Sequence, residues 1–154
     1  MNAQGGSLII REAESQDLKE VMQLIHSLAH YEEAPHEVEV DEFQLLDDWE
    51  KGLFQLLVLE DARKKKLAGM ALFYPRYSTW KGACCYLEDL YVEPLYRGQG
   101  WGTALIKAVA KKASEAGAIR LDWQVLDWNQ SAIDLYQKLG ATIEKEWWNC
   151  KWWI

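Results

Sequence analysis

No stretch of this chain approaches the ~20 consecutive apolar residues that a membrane span requires, although 49% of its residues are hydrophobic. A soluble protein with no membrane partner is expected. Met1 to Ser7 is polar and flexible in composition and lacks the basic-then-apolar order of a signal peptide, so nothing points to secretion. Cysteine is scarce: there are three, and Cys84 and Cys85 are adjacent, which makes them a poor disulfide and a poor zinc clamp. They read as small strand residues with one packed inward, Cys150 likewise as a small packed residue, in a reduced cytoplasmic setting with no metal. Positive charge is also in deficit. The 24 acidic and 17 basic residues leave a net charge of -7, a field that repels nucleic acid and attracts cations. That acidity either keeps a soluble protein dispersed or draws in a cationic substrate. No internal repeat or low-complexity linker interrupts the chain, and its 154 residues suit one domain, 1–154, with one core.

Hydrophobic spacing supplies the elements. Leu8 to Arg11 reads as a strand, and apolar residues from Leu18 to Leu28 fall on one helical face before Ala34-Pro35 closes the segment. Glu32 and Glu33 sit at that exit, where acids gain nothing from the helix dipole. They are either solvated loop acids or part of a site. Asp41 to Lys51 forms a second, shorter helix ended by Gly52. Phe54 to Leu59 and Leu67 to Tyr74 pair across a lysine-rich turn, Pro75 to Gly82 is a loop carrying Trp80, and Cys84 to Glu93 is the next strand. Gly100 to Ala116 is the clearest helix, stopped by Gly117. Ile119 to Leu126 is a strand, Asn129 caps a helix over Ser131 to Leu139, and Ala141 to Glu146 and Cys150 to Ile154 read as two last strands. The order β-α-α-β-β-β-α-β-α-β-β implies an α+β or mixed α/β domain.

The stretch Tyr86 to Gly102, Y-L-E-D-L-Y-V-E-P-L-Y-R-G-Q-G-W-G, organises the chain. Its glycines make neither a Walker loop, for no Gly-Lys-Ser/Thr follows, nor the dinucleotide fingerprint, whose spacing differs. What remains is a turn whose bare amides, with a helix N-terminus behind them, can hold a pyrophosphate without metal, or serve only as a flexible strand-to-helix connection. Arg97 can add a charge-assisted contact.

Arg97, Gly100 and Gly102, with Asn129, Ala132, Tyr136 and Gly140 farther on, resemble the GNAT superfamily of N-acetyltransferases, whose motif R/Q-x-x-G-x-G/A follows an antiparallel strand. Within it the chain is most similar to the diamine acetyltransferase group, the spermidine/spermine enzymes and their thialysine-acetylating relatives. The words carrying this are Y-S-T-W-K-G (Tyr77 to Gly82), Y-L-E-D-L-Y-V, Y-R-G-Q-G-W-G and V-L-D-W-N-Q-S-A-I-D-L-Y (Val125 to Tyr136), with the thialysine branch nearer in spelling. The resemblance implies a GNAT-like single domain with a mixed, mostly antiparallel sheet and helices on both faces. It also implies acetyl-CoA as co-substrate, a homodimer, and direct attack by a small cationic amine in a ternary complex. Acetylation of a protein lysine or N-terminus, or a CoA-binding module without turnover, are the alternatives.

The same resemblance assigns roles. Leu90, Tyr91 and Val92 would offer amides to the acetyl carbonyl and pantetheine. Arg97, Gly98, Gln99, Gly100, Trp101, Gly102 and Thr103 would hold the pyrophosphate, and Asn129, Gln130, Ser131 and Ala132 would line the pantetheine arm. Tyr136, otherwise a packing residue of an amphipathic helix, matches the family's general acid. Glu88 is the candidate base, for an ammonium must lose a proton before it attacks, whereas a bare Glu88-Asp89 is an ordinary polar pair. On a regular strand Asp89 points away from Glu88 unless a bulge intervenes. The substrate is expected against Tyr31, Glu32, Trp80, Glu88, Asp89, Asp122, Trp123 and Gln124, with Trp80 over an alkyl chain or a cation. Where spermidine enzymes carry Asp-Pro-Trp, this chain has Ser78-Thr79-Trp80, so one acid is missing. The family's Glu-Gly-Trp loop is replaced by Glu146-Trp147-Trp148, tryptophans expected in dimer or core packing.

Overall fold

The structure, a computed structural model, describes residues 7–154; the polar N-terminal segment read as flexible lies outside the described residues except for Ser7. The chain divides into two compact units, one through Gln124 and one of Val125–Ile154.

The first unit is built on a five-stranded sheet in sequence order, with β1 (Leu8–Glu12), β2 (Gln55–Asp61), β3 (Lys66–Ser78) and β4 (Gly82–Val92) antiparallel, and β5 (Leu121–Asp122) parallel to β4. Two-residue alternation sorts the apolar positions of the inner strands. Leu56, Val58, Met70, Leu72 and Tyr91 join Leu18, Val21, Met22 and Leu24 of α1 (Leu18–Tyr31) and Leu45 of α2 (Glu42–Glu50) in one cluster. The intervening Leu57, Leu59, Ala71 and Phe73 are equally buried, and α3 (Trp101–Glu115) packs along β2, β3 and β4 with Leu105, Ile106 and Val109 buried. The expected helices on both faces are thus present, α1 and α2 on one and α3 on the other. The Asp41 side chain caps α2 by accepting from the Gln44 amide at 2.8 Å.

Several expectations are corrected. β3 does not stop at Tyr74 but runs through Pro75 to Ser78. Beyond Phe73 it has no β2 partner, and a proline lacking its N–H is tolerated where one edge of the strand is open. Cys84 and Cys85 are both buried, because β4 is covered on either face, while Cys150 is exposed. The strand expected over Ile119 to Leu126 shrinks to β5, and neither Ala141 to Glu146 nor Cys150 to Ile154 forms a strand. Thr142 and Ile143 in the first and Trp152 and Trp153 in the second carry β propensity, but propensity without a neighbouring ladder does not make a strand.

Two irregularities shape β4. An added Cβ on Gly69 would lie 2.6 Å from the Tyr91 carbonyl oxygen, so only glycine allows β3 this close to β4. Near the middle of the strand, pairing passes from Leu72↔Asp89 to Phe73↔Leu87, leaving Glu88 as an extra residue, a β-bulge.

The second unit contains α4 (Gln130–Lys138), whose Asn129 side chain accepts from the Ala132 amide at 3.4 Å. The Ala141 amide closes its far end on the Tyr136 carbonyl at 3.0 Å.

Candidate active site

The bulge decides where the β4 acids point. Cross-strand partners share a face, so Asp89 opposite Leu72 lies on the α1 side of the sheet. Glu88, displaced from the ladder, accepts a 2.7 Å hydrogen bond from the Tyr74 hydroxyl, and Tyr74 packs against the same α1-side cluster. Both carboxylates therefore serve one face, as the sequence allowed only with a bulge. Burial first, then the negative charges of Glu88 and Glu32, push the Asp89 carboxyl up to about 7. Glu32 caps the C-terminus of α1 and is itself raised by burial. Burial and the adjoining Glu88 carboxylate raise the Tyr74 phenol above its ordinary range, which keeps it a proton donor to Glu88. Of the expected acids, Asp89 thus lies within the fields of both Glu32 and Glu88.

Past this cluster, β4 has an open side. Its parallel ladder with β5 consists of Cys85↔Leu121 and Tyr86↔Asp122, so Leu90, Tyr91 and Val92 are paired only with β3 among the described residues. The chain then makes a 3₁₀ turn at Pro94–Tyr96, anchored by the Tyr96 hydroxyl donating to buried Asp61 at 2.9 Å. Arg97 Nε donates to the Val92 carbonyl at 2.7 Å, and the guanidinium lies over the rings of Tyr31 and Tyr91, 5.0 and 5.3 Å from their centroids. The side chain expected at a pyrophosphate is thereby also a brace between β4 and the end of α1, and Tyr31 takes part in that brace.

Gly98 and Gly100 adopt φ of 72° and 85°, left-handed conformations natural to glycine. Gly100 caps α3, whose first hydrogen bond runs from the Ala104 amide to the Gly100 carbonyl at 2.9 Å. The main-chain amides from Gly98 through Thr103 find no acceptor among the described residues. A Cβ added at Gly98, Gly100 or Gly102 would meet nothing within 4 Å, so the turn opens onto free space. Trp101 is buried and Gln99 donates to the Leu95 carbonyl at 3.3 Å, which ties the turn down from below.

The remaining expected substrate residues divide. Trp80 stands at the tip of the β3–β4 hairpin, 82% exposed, where Ser78 Oγ accepts from its amide and from that of Lys81. Ser78 thus stabilises the turn. Asp122 does not join the other acids: Arg120 grips it at 2.6 and 3.1 Å, and Arg76 approaches it at 3.6 Å. Trp123 and Gln124 lie just beyond the β5 ladder. Asn129, Gln130, Ser131, Ala132 and Tyr136 belong to the second unit, where Gln130 Nε2 donates to Asp134 at 2.6 Å and Ser131 Oγ to Asn129 at 3.3 Å. Among the described residues, no cluster of three or more His, Cys, Asp or Glu is placed to hold a metal ion, and no helix is long and apolar enough to cross a membrane. Sequence reasoning missed Tyr74 and Arg76, because Pro75 between them reads as the end of the strand on which they alternate.

The profile of the acetyltransferase (GNAT) family matches residues 18–141. The thialysine N-epsilon-acetyltransferase of Bos taurus is 42% identical over 153 residues, spanning 93% of this chain and 90% of the relative. The L-ornithine N5-acetyltransferase of Arabidopsis thaliana is 41% identical over 86 residues, 55% of this chain and 38% of that protein. Among solved structures, an aminoglycoside acetyltransferase from an uncultured soil metagenomic sample superposes with a TM-score of 0.78 at 23% identity, covering 96% of both chains.

Proposed function

The chain belongs to the GNAT family of acetyltransferases, and from that premise we propose that it transfers acetyl from acetyl-CoA to a primary amine of a small cationic substrate by direct attack in a ternary complex. The observation that carries this reading is the β4 unit itself: paired acids at its bulge, an open strand edge, and a turn of unsatisfied amides in immediate succession. The amides from Gly98 through Thr103 suit a diphosphate, for orphaned donors at a helix N-terminus favour an anion without metal. When bound, acetyl-CoA supplies an activated thioester.

The chain's own groups do the rest. Leu90 and Val92, whose amides face the open edge while that of Tyr91 between them faces β3, offer main-chain donors to the acetyl carbonyl oxygen. Glu88, held by Tyr74, takes the proton of the substrate ammonium, whose pKa near ~10 otherwise leaves almost no lone pair at neutral pH. Asp89 beside it titrates near neutrality and Glu32 adds negative charge, so the three acids gather a cation before it is deprotonated. The nitrogen forms its bond to the acetyl carbon, the carbon–sulfur bond breaks, Tyr136 gives its phenolic proton to the departing sulfur, and the second N–H proton shed by the adduct passes to solvent, from which the phenolate regains its own. A thiol of pKa ~8.5 is a modest leaving group, so this last aid is helpful without being indispensable. We read the two units as one acetyltransferase domain, because the family match runs across both.

The test is release of CoA thiol from acetyl-CoA across a panel of diamines, polyamines and amino acids bearing a side-chain amine. Turnover is expected with a small amine. Turnover only with a lysine-bearing peptide points to protein acetylation, and CoA binding without turnover on any acceptor identifies a binding module.

A further inference from the structure

Beyond the acids, the same sheet face carries a cation that an amine substrate alone gives no reason for. Arg76 alternates with Tyr74 on β3 and so shares its face. Its guanidinium lies 5.5 Å from the Tyr86 centroid, Tyr86 stacks 5.5 Å from Tyr74, and Tyr74 donates to Glu88. Arg76 is therefore linked to Glu88, the proposed base, by unbroken contact. Yet its charge is poorly matched. Its one carboxylate neighbour among the described residues, Asp122, is already held by Arg120 in a two-pronged pair at 2.6 and 3.1 Å, and Arg76 reaches it only at 3.6 Å. The Arg76 side chain remains 53% exposed. A guanidinium with free donors in a planar fork is built for a carboxylate.

We propose that Arg76 binds the carboxylate of the acceptor, so that the site selects α-amino acids with a primary amine at the end of the side chain over diamines lacking a carboxylate. This rests on the acetyl-transfer reading above. The site is bipolar: Glu32, Glu88 and Asp89 receive the ammonium end, and Arg76 receives the acid end. Arg76 and Tyr74 are two residues apart on a strand, about 7 Å, a length comparable to that between the carboxylate and the far nitrogen of an ornithine- or lysine-sized molecule. Tyr86 and Tyr74 form an apolar floor between the poles on which side-chain methylenes can lie. The amino-acid acetyltransferases among the similar proteins, acting by name on thialysine and ornithine, have acceptors of this shape.

The experiment measures binding by calorimetry, with CoA present, of L-ornithine and of its decarboxylated counterpart, 1,4-diaminobutane, to the wild-type protein, Arg76→Gln and Arg76→Lys. Wild type is expected to prefer the amino acid, Arg76→Gln to lose at least tenfold of that preference, and Arg76→Lys to restore part of it. In the thiol-release assay the same loss should enter KM for the amino acid and leave its kcat near the wild-type value. Equal affinity of wild type for the two ligands, or a preference untouched in Arg76→Gln, overturns the proposal. Failure of the acetyl-transfer reading shows separately, as carboxylate-dependent binding without turnover.

Discussion

At the scale of single residues, one extra residue in a strand places two neighbouring carboxylates in different surroundings. Glu88 is tethered outside the ladder by Tyr74, whereas Asp89 is half-buried beside it and is pushed up to about 7. Glu88→Gln removes the proton acceptor, so the rate should fall at neutral pH and recover towards high pH, where free amine becomes available. A uniform loss at every pH would assign Glu88 to binding. The same substitution removes a negative neighbour of Asp89, so the Asp89 pKa should move below 7, readable by carboxyl NMR titration. Tyr136→Phe should lower kcat with CoA affinity nearly intact, and an unaltered kcat would release Tyr136 from the acid role. Glu32, Glu88, Asp89 and Tyr136 were singled out through the family's motif, since residue type alone gave an ordinary polar pair and a packing tyrosine, and the structure brings the charges of Glu32 and Glu88 to bear on Asp89. Arg76 was not, since its significance depends on which face of β3 it occupies and on Arg120 having already taken Asp122.

Elements show what sequence patterns can and cannot fix. The helices α1, α2, α3 and α4 stand within a residue or two of their expected bounds, because caps and glycine stops are local signals. Strand ends depend on partners, and there the reading failed: Pro75 looked like a break, and the tryptophan-rich end looked like strands. The close approach at Gly69 gives a test of β4 as the element proposed to serve the acetyl group. Gly69→Ala must push back the Tyr91 carbonyl, found 2.6 Å from the new Cβ. We expect a stability loss of roughly 1–3 kcal/mol with a disproportionate fall in kcat, measured by urea unfolding alongside thiol release. In the glycine turn, Gly100→Ala would force an alanine to φ of 85°. The α3 cap should weaken by about 1 kcal/mol, and KM for acetyl-CoA should rise more than KM for the amine.

For the whole molecule, a buried and a half-buried carboxylate of opposite tendency shape the pH range of stability. Burial raises Asp17, but hydrogen bonds from Arg11 and the Glu14 amide outweigh it and leave its pKa lowered. Its contribution is thus present above the unfolded value of ~3.9 and lost as pH falls through the folded one. Asp89 is the reverse case. Its raised folded value favours the protonated form, so its contribution is full below ~3.9 and lost as pH rises to about 7. Thermal unfolding should therefore be most resisted in mild acid, and Asp89→Asn should flatten the alkaline limb, adding on the order of 2 kcal/mol at pH 8. Arg11→Ala leaves Asp17, 8% exposed, without its cation, and should cost about 3–5 kcal/mol; a melt scarcely altered would mean that water replaces the guanidinium.

The extra residue at Glu88 also governs how this chain can change in length. Because side-chain parity reverses across it, removing any other single residue from the surrounding strand would either rotate part of β4 inside out or erase the offset to compensate. Loss of Glu88 itself would let the ladder close in regular register, with Asp89 still opposite Leu72. In a library of single-codon deletions across β4, the member lacking Glu88 should then fold as well as its parent or better and lose turnover at neutral pH. Substitutions would explore this strand gradually, while deletions would divide it at one codon into a segment that supports the sheet and a segment that supports turnover.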